Sequence, residues 1–177
     1  MKKISVIICL IVSFIIIYLL QVNFFSWFNL AGIKPNLFVI LALVIGLFSG
    51  RSMGATFGII FGVSLDFFIG KSIGVSGIML GTVGFIGGYL DKNFSKDSRI
   101  TMIMMISLST IIYELGVCVF NYFINNSQIG AIYFISTLLI ELIFNVIITI
   151  IIYPIIIKLG YKIEENFKVN KILTRYF

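Results

Sequence analysis

The stretch GLFSGRSMGATFGIIFGVSLD, Gly46 to Asp66, decides the fold. Within it Gly46, Gly50, Gly54, Gly58 and Gly62 recur every four residues, and Asp66 takes the next place in the register. In water glycine disfavours helix interiors, because it loses much chain entropy and brings no side chain to pack. In a bilayer, glycines four apart leave a groove along one side of a helix into which another backbone can approach closely. Gly70, Gly74, Gly77, Gly81, Gly84, Gly87 and Gly88 extend the series, so twelve of the 16 glycines lie between positions 46 and 88. Gly50-Arg51-Ser52 supplies a tight turn, which divides the ladder between two helices. These helices are predicted to pack tightly, on each other or on a partner helix.

The rest of the chain agrees with a membrane setting. Of 177 residues, 60% are hydrophobic and 11% charged, against about 45–50% and about 25% in soluble domains. Mean hydropathy is +1.15. About 20 apolar residues cross a bilayer, so six spans need roughly 120 residues and leave little for a soluble domain. This composition excludes a soluble globular protein, a disordered chain and a disulfide scaffold. The chain has no histidine, which excludes His-based acid–base catalysis, His metal sites and zinc-protease motifs. Cys9 and Cys118 each sit in an apolar run and read as small buried side chains rather than a disulfide or a metal pair. No metal site or cofactor is expected.

Six apolar segments follow one another: about 4–20, 36–48, 53–69, 73–90, 100–124 and 131–157. The first follows Lys2 and Lys3, but Gln21-Val22-Asn23-Phe24 offers no small-x-small cleavage site, so it reads as a retained helix. Pro35 suits the first turn of the short second segment. The fold expected is therefore an all-α integral membrane protein of six transmembrane helices, residues 1–157, with a cytoplasmic basic tail, residues 158–177.

Charge placement orients the bundle. The net charge is +6, and the basic residues are scattered rather than clustered for nucleic acid. With both termini cytoplasmic, Lys2, Lys3, Arg51, Lys92, Lys96, Arg99, Lys158, Lys162, Lys168, Lys171 and Arg175 lie inside, and only Lys34 and Lys71 outside. The positive-inside rule thus favours N-in, C-in. Phe24, Phe25, Trp27 and Phe28 crowd the first outer loop, as an interfacial aromatic belt, a lid or a docking surface. In the tail, Leu159, Ile163, Phe167, Ile172, Leu173 and Tyr176 alternate with basic residues, as in an amphipathic segment on anionic lipid or against a partner.

Three acids fall inside spans: Asp66, Glu114 and Glu141. An ionisable residue there is costly and usually faces the bundle interior. At 1.5 Å per residue they lie roughly 20, 21 and 25 Å from the cytoplasmic ends of their helices, close enough in depth to meet. Glu114 shares a polar stripe with Ser107, Thr110 and Asn121, and Glu141 one with Thr137, Asn145 and Thr149. The two stripes predict interhelical hydrogen bonds between the fifth and sixth helices. Neutral carboxyls serving as structural glue or partner contact, and a proton or ion pathway, both stay open.

Lys34-Pro35-Asn36-Leu37, then Gly46-Leu47, Gly50, Gly54, Gly58, Gly62, Leu65-Asp66, Gly70, Gly74, Gly81 and Gly88-Tyr89-Leu90, resemble the MreD family of bacterial rod shape-determining membrane proteins. The likeness is specific over about positions 33–91, and Ser64 departs from the apolar residue or glycine expected before Leu65-Asp66. The resemblance implies a non-enzymatic, multi-pass subunit of the cell-elongation complex in the cytoplasmic membrane. It implies contact with the bitopic protein MreC and, through it, with MreB. RodA and a class B penicillin-binding protein would work alongside, on peptidoglycan. It also implies a fold like the six-helix substrate-binding subunit of energy-coupling-factor vitamin transporters, which is the rival function. That rival usually carries Ala-x-x-x-Ala in its first helix, whereas the alanines here are Ala31, Ala42, Ala55 and Ala131, with no such pair. Nor does the sequence show a paired-Asp phosphotransferase motif or a nucleophile with a base.

Overall fold

The computed structural model describes residues 2–27, 29–30, 32–69, 74–91, 97–125 and 130–167. Six long helices account for most of them. Helix α1 is Lys2–Leu19, α2 Leu37–Ser49, α3 Arg51–Ile69, α4 Val75–Leu90, α5 Arg99–Asn125 and α6 Ala131–Phe167. After α1 the chain runs on through a π-helical turn, Leu20–Phe24, and a short helical piece, Phe25–Trp27.

The six predicted segments each become a helix, with two differences. Helix α6, which carries Pro154 in its interior, does not stop near Ile157 but continues ten residues further, to Phe167. Lys158 marks a change of polarity, not an end of hydrogen bonding, and helical bonds are local enough to continue across that change. Thus the first half of the expected tail is the end of α6, and residues 168–177 lie outside the described residues. The second difference is at Pro35, which precedes α2 instead of occupying its first turn, because the helix begins at Leu37.

Among the described residues four helices are long and apolar enough to cross a membrane, and α2 and α4 are shorter. Helix α2 has 13 residues, about 20 Å, which is less than the ~30 Å hydrocarbon layer. Twelve of those residues are buried, so protein rather than lipid surrounds α2, as expected for a helix that is apolar on every side. Helix α4 lies against α3, α2 and α5; α2 also meets α3 and α6; and α5 packs on α6. Helix α1 attaches more thinly. It buries one stripe at four-residue spacing, Val6, Leu10 and Phe14. The Phe14 ring stacks on Phe61 at 4.6 Å and tilts against Phe38 at 5.4 Å.

Aromatic and polar contacts tie the ends of the bundle. Arg51 lies 4.6 Å from the centre of the Tyr89 ring, joining the start of α3 to the end of α4. The Tyr153 hydroxyl donates to the Asp97 carbonyl at 2.5 Å, and the Tyr161 hydroxyl donates to the Asp97 carboxylate. Both bonds pin the entry to α5 against the second half of α6. At the opposite end, Leu30 and Ile33 exchange backbone bonds of 3.2 and 2.9 Å around Gly32, whose φ is +82°. Trp27 stands 88% exposed there, and Phe24 meets Phe25 edge-on at 5.1 Å. Phe28 falls outside the described residues.

Candidate functional site

The glycine ladder forms the seam of an antiparallel helix pair. A side-chain carbon placed on Gly54, Gly58 or Gly62 of α3 would strike, in turn, the backbone of Gly84, Leu80 and Ser76 of α4. The partners descend as the ladder ascends, so the two backbones stay in contact along the whole seam. Seen from α4, a carbon on Gly84 would strike the Gly54 backbone, and one on Gly88 would reach the Arg51 Cα at 2.5 Å. Helix α2 joins at one end. A carbon on Gly46 would strike the Gly84 carbonyl, and one on Gly54 would fall 2.6 Å from the Gly46 Cα. Gly46, Gly54 and Gly84 thus form a three-helix junction in which no atom beyond Cα fits. Gly81 is different: its nearest neighbour is the Ile59 side chain at 2.6 Å, which can change rotamer.

Two glycines serve the chain's path. Gly50 alone separates α2 from α3 with φ +97°, and its N–H donates to the Gly46 carbonyl at 2.9 Å. Gly74 begins α4 with φ +98°. A side chain at either position would be strained. Gly70 lies outside the described residues.

Asp66 continues the ladder and stands where α4 starts. Its carboxylate accepts the N–H of Gly74 at 2.8 Å and of Ser76 at 3.2 Å. These are among the donors that a helix N-terminus leaves unsatisfied, and the helix dipole favours an anion there. Asp66 is only 2% exposed, so the acid has a structural reason to be inside the bundle.

A polar layer lies beyond this cap. The Asn145 side chain on α6 donates to the Thr110 hydroxyl on α5 at 3.0 Å. Its carbonyl oxygen accepts the Asn36 backbone N–H at 2.9 Å, just before α2. The Leu37 N–H donates to Gln21 Oε1 at 3.2 Å. Asn36 adopts φ −107° and ψ 83°, and its side chain reaches Glu141 and Tyr113. Glu141 also meets Glu114, and Tyr113 lies beside Ser76. The structure therefore brings Glu114 and Glu141 into contact. Asp66 does not join them: its carboxylate is engaged by the Gly74 and Ser76 N–H groups. Glu141 is buried, and its Oε1 has no hydrogen-bond partner among the described residues. Asn121 lines a small pocket of about 140 Å³ with Glu114, Cys118 and Thr137.

The two polar stripes contribute unequally. Thr110 and Asn145 make the bond between α5 and α6, while Thr137 and Thr149 bond back to carbonyls of their own helix, at 2.9 and 2.6 Å. Ser76, Tyr113 and Gln21 belong to the network without having been singled out in the sequence. Tyr113 carried the clearest signal, an aromatic hydroxyl beside an acid in the middle of an apolar helix. Among the described residues no group of three or more His, Cys, Asp or Glu is placed to hold a metal.

A family model described as rod shape-determining protein MreD matches residues 1–163. The chain belongs to the MreD family. The match takes in α1 to α5 and most of α6, well beyond the 33–91 stretch on which the resemblance rested. No curated protein and no solved structure matches. As an MreD-family chain this is a membrane protein of cell-shape determination, and its apolar helices fit insertion in a bilayer. In this chain the glycine seam, the Asp66 cap and the polar layer join the short helices α2 and α4 to the longer ones.

Proposed function

We propose that this chain is the non-catalytic, multi-pass subunit of the bacterial cell-elongation complex. It sits in the cytoplasmic membrane with both termini inside and binds an MreC-like bitopic protein. Through that partner it connects MreB with the wall-synthesis pair, RodA and a class B penicillin-binding protein. The observation that carries this reading is the MreD-family match over residues 1–163. The use of the polar residues supports it: Asp66, Asn145 and Thr110 spend their hydrogen bonds on helix ends and helix contacts. A scaffold needs such rigidity, and these groups face neighbouring helices instead of converging on a substrate.

The transporter reading shares the proposed six-helix likeness but finds less support. A vitamin site wants several polar groups around a cavity of about 300–1,000 Å³. The pocket beside Glu114 measures about 140 Å³, and the larger cavity between α1, α2 and α6 is walled by aliphatic and aromatic side chains with Cys9 and Ser13. Depletion of the protein in its native bacterium tests the proposal. Rod-shaped cells should round up, and the unaltered chain should restore them while Gly58→Leu should not. Cells that keep their shape through depletion would refute it.

A further inference from the structure

Two of the intramembrane acids stand together with no basic residue near them in sequence. Glu141 on α6 meets Glu114 on α5, and the Asn36 side chain reaches Glu141. Glu141 is 6% exposed, and its Oε1 is buried with no hydrogen-bond partner among the described residues. No lysine or arginine occurs in 37–49, 100–125 or 131–157, the stretches of α2, α5 and α6 that surround the pair. Lys34, two residues before Asn36, donates to the Ser26 hydroxyl at 2.8 Å. Adjacent carboxylates repel, and a buried one without a counter-charge is costly. Positive charge for the pair has to come from outside these helices.

Room for it lies beside Glu114. A pocket of about 140 Å³ is lined there by Glu114, Asn121, Tyr133 and Thr137. One water takes about 30 Å³, so the pocket holds an ion with a few waters, whereas a proton would need no such space. The Thr137 hydroxyl donates to the Tyr133 carbonyl at 2.9 Å, which leaves its oxygen lone pairs as acceptors. Asn121 and Tyr133 lie closer than the two acids to the end of α5 at Asn125 and the start of α6 at Ala131. Polar side chains thus mark a path inward from those ends. Two carboxylates are enough where neutral oxygens complete the shell: calcium takes carboxylate, amide and water oxygens in flexible geometry, while magnesium demands a near-ideal octahedron. We propose that Glu114 and Glu141 form a site for a divalent cation of the calcium class, completed by Asn121, Thr137 and water. The site goes beyond the elongation-complex reading and does not depend on it.

Calcium titration of the delipidated full chain, purified in an uncharged detergent and stripped with EDTA, tests it by calorimetry and by thermal unfolding. About one equivalent should bind, and the unfolding midpoint should rise saturably with calcium. Glu141→Gln should weaken calcium binding by about tenfold or more, since even residues one shell further from a metal are worth about 10–100-fold. Thr137→Val keeps both acids and the packing volume; it should unfold in EDTA like the unaltered chain and still bind calcium less tightly, which keeps the test valid if Glu141→Gln fails to fold. Glu165→Gln, at an exposed acid on the last turns of α6, should leave binding unchanged. No saturable binding to the unaltered chain would overturn the proposal, as would a midpoint rise that sodium chloride reproduces at matched ionic strength. Equal losses in Glu165→Gln and Glu141→Gln would make the binding adventitious and overturn it too.

Discussion

At single positions, the chemistry of this protein is decided by what stands one atom beyond a Cα. Gly84 and Gly81 lie on the same helix and look equivalent in the sequence, yet their neighbours differ. A methyl group on Gly84 meets the Gly54 backbone, which can yield only by moving a helix, whereas one on Gly81 meets the movable Ile59 side chain. Gly84→Ala should therefore cost about 3 kcal/mol or more, and Gly81→Ala about 1 kcal/mol. Thermal unfolding in detergent measures both, with Gly130→Ala as a neutral reference, since nothing lies within 4 Å of that position. Asp66 gives a second residue-scale expectation. Asp66→Ala removes the acceptor of two N–H groups at the start of α4 and should cost about 1–2 kcal/mol; Asp66→Asn, which keeps a side-chain oxygen, should cost less. Equal midpoints for the alanine and asparagine variants would contradict the capping role.

Between elements, the decisive contacts join helices far apart in sequence. Asn145 links α6 to α5 through Thr110 and to the entry of α2 through the Asn36 N–H. Interhelical hydrogen bonds in membranes are worth about 0.6 kcal/mol each on average, up to about 1.7, so Asn145→Leu should lower stability by about 1–3 kcal/mol, with the desolvated Asn36 N–H included. Glu114→Gln and Glu141→Gln provide the complementary test. If both single variants fold and support rod growth, an ionised role for either carboxyl is excluded. The spacing by four made Thr110, Asn145 and Glu141 legible in the sequence, because helical periodicity puts such residues on one face. Gln21, Asn36 and Ser76 were not legible as network members, because their partners lie on other helices and no local pattern announces a tertiary hydrogen bond. The extent of α6 was hidden for another reason: the apolar run from which the segment was read gives way at Lys158, yet the backbone continues as helix past that point to Phe167.

As a whole, the molecule is a bundle in which two short helices, α2 and α4, are held among longer ones by glycine contacts and a buried polar layer. The concentration of glycine between positions 46 and 88 made this region readable at once. Which surface the ladder would meet was not readable, since a groove looks the same whether its occupant is the same chain or another; the seam of α3 on α4 supplies the occupant. The orientation proposed from charge is testable at the same scale. After replacement of Cys9 and Cys118, a single cysteine at Lys34 should react with an impermeant thiol reagent on intact spheroplasts, and one at Lys162 only after lysis. The opposite pattern would reverse the topology. The most direct measurement of the central claim is affinity purification of the tagged, full-length chain from its native membrane. An MreC-like bitopic protein should co-purify with it, and its yield should fall with Gly58→Leu. A preparation without that partner, from which denaturation releases a bound vitamin, would contradict the account and place the chain among the transporter subunits.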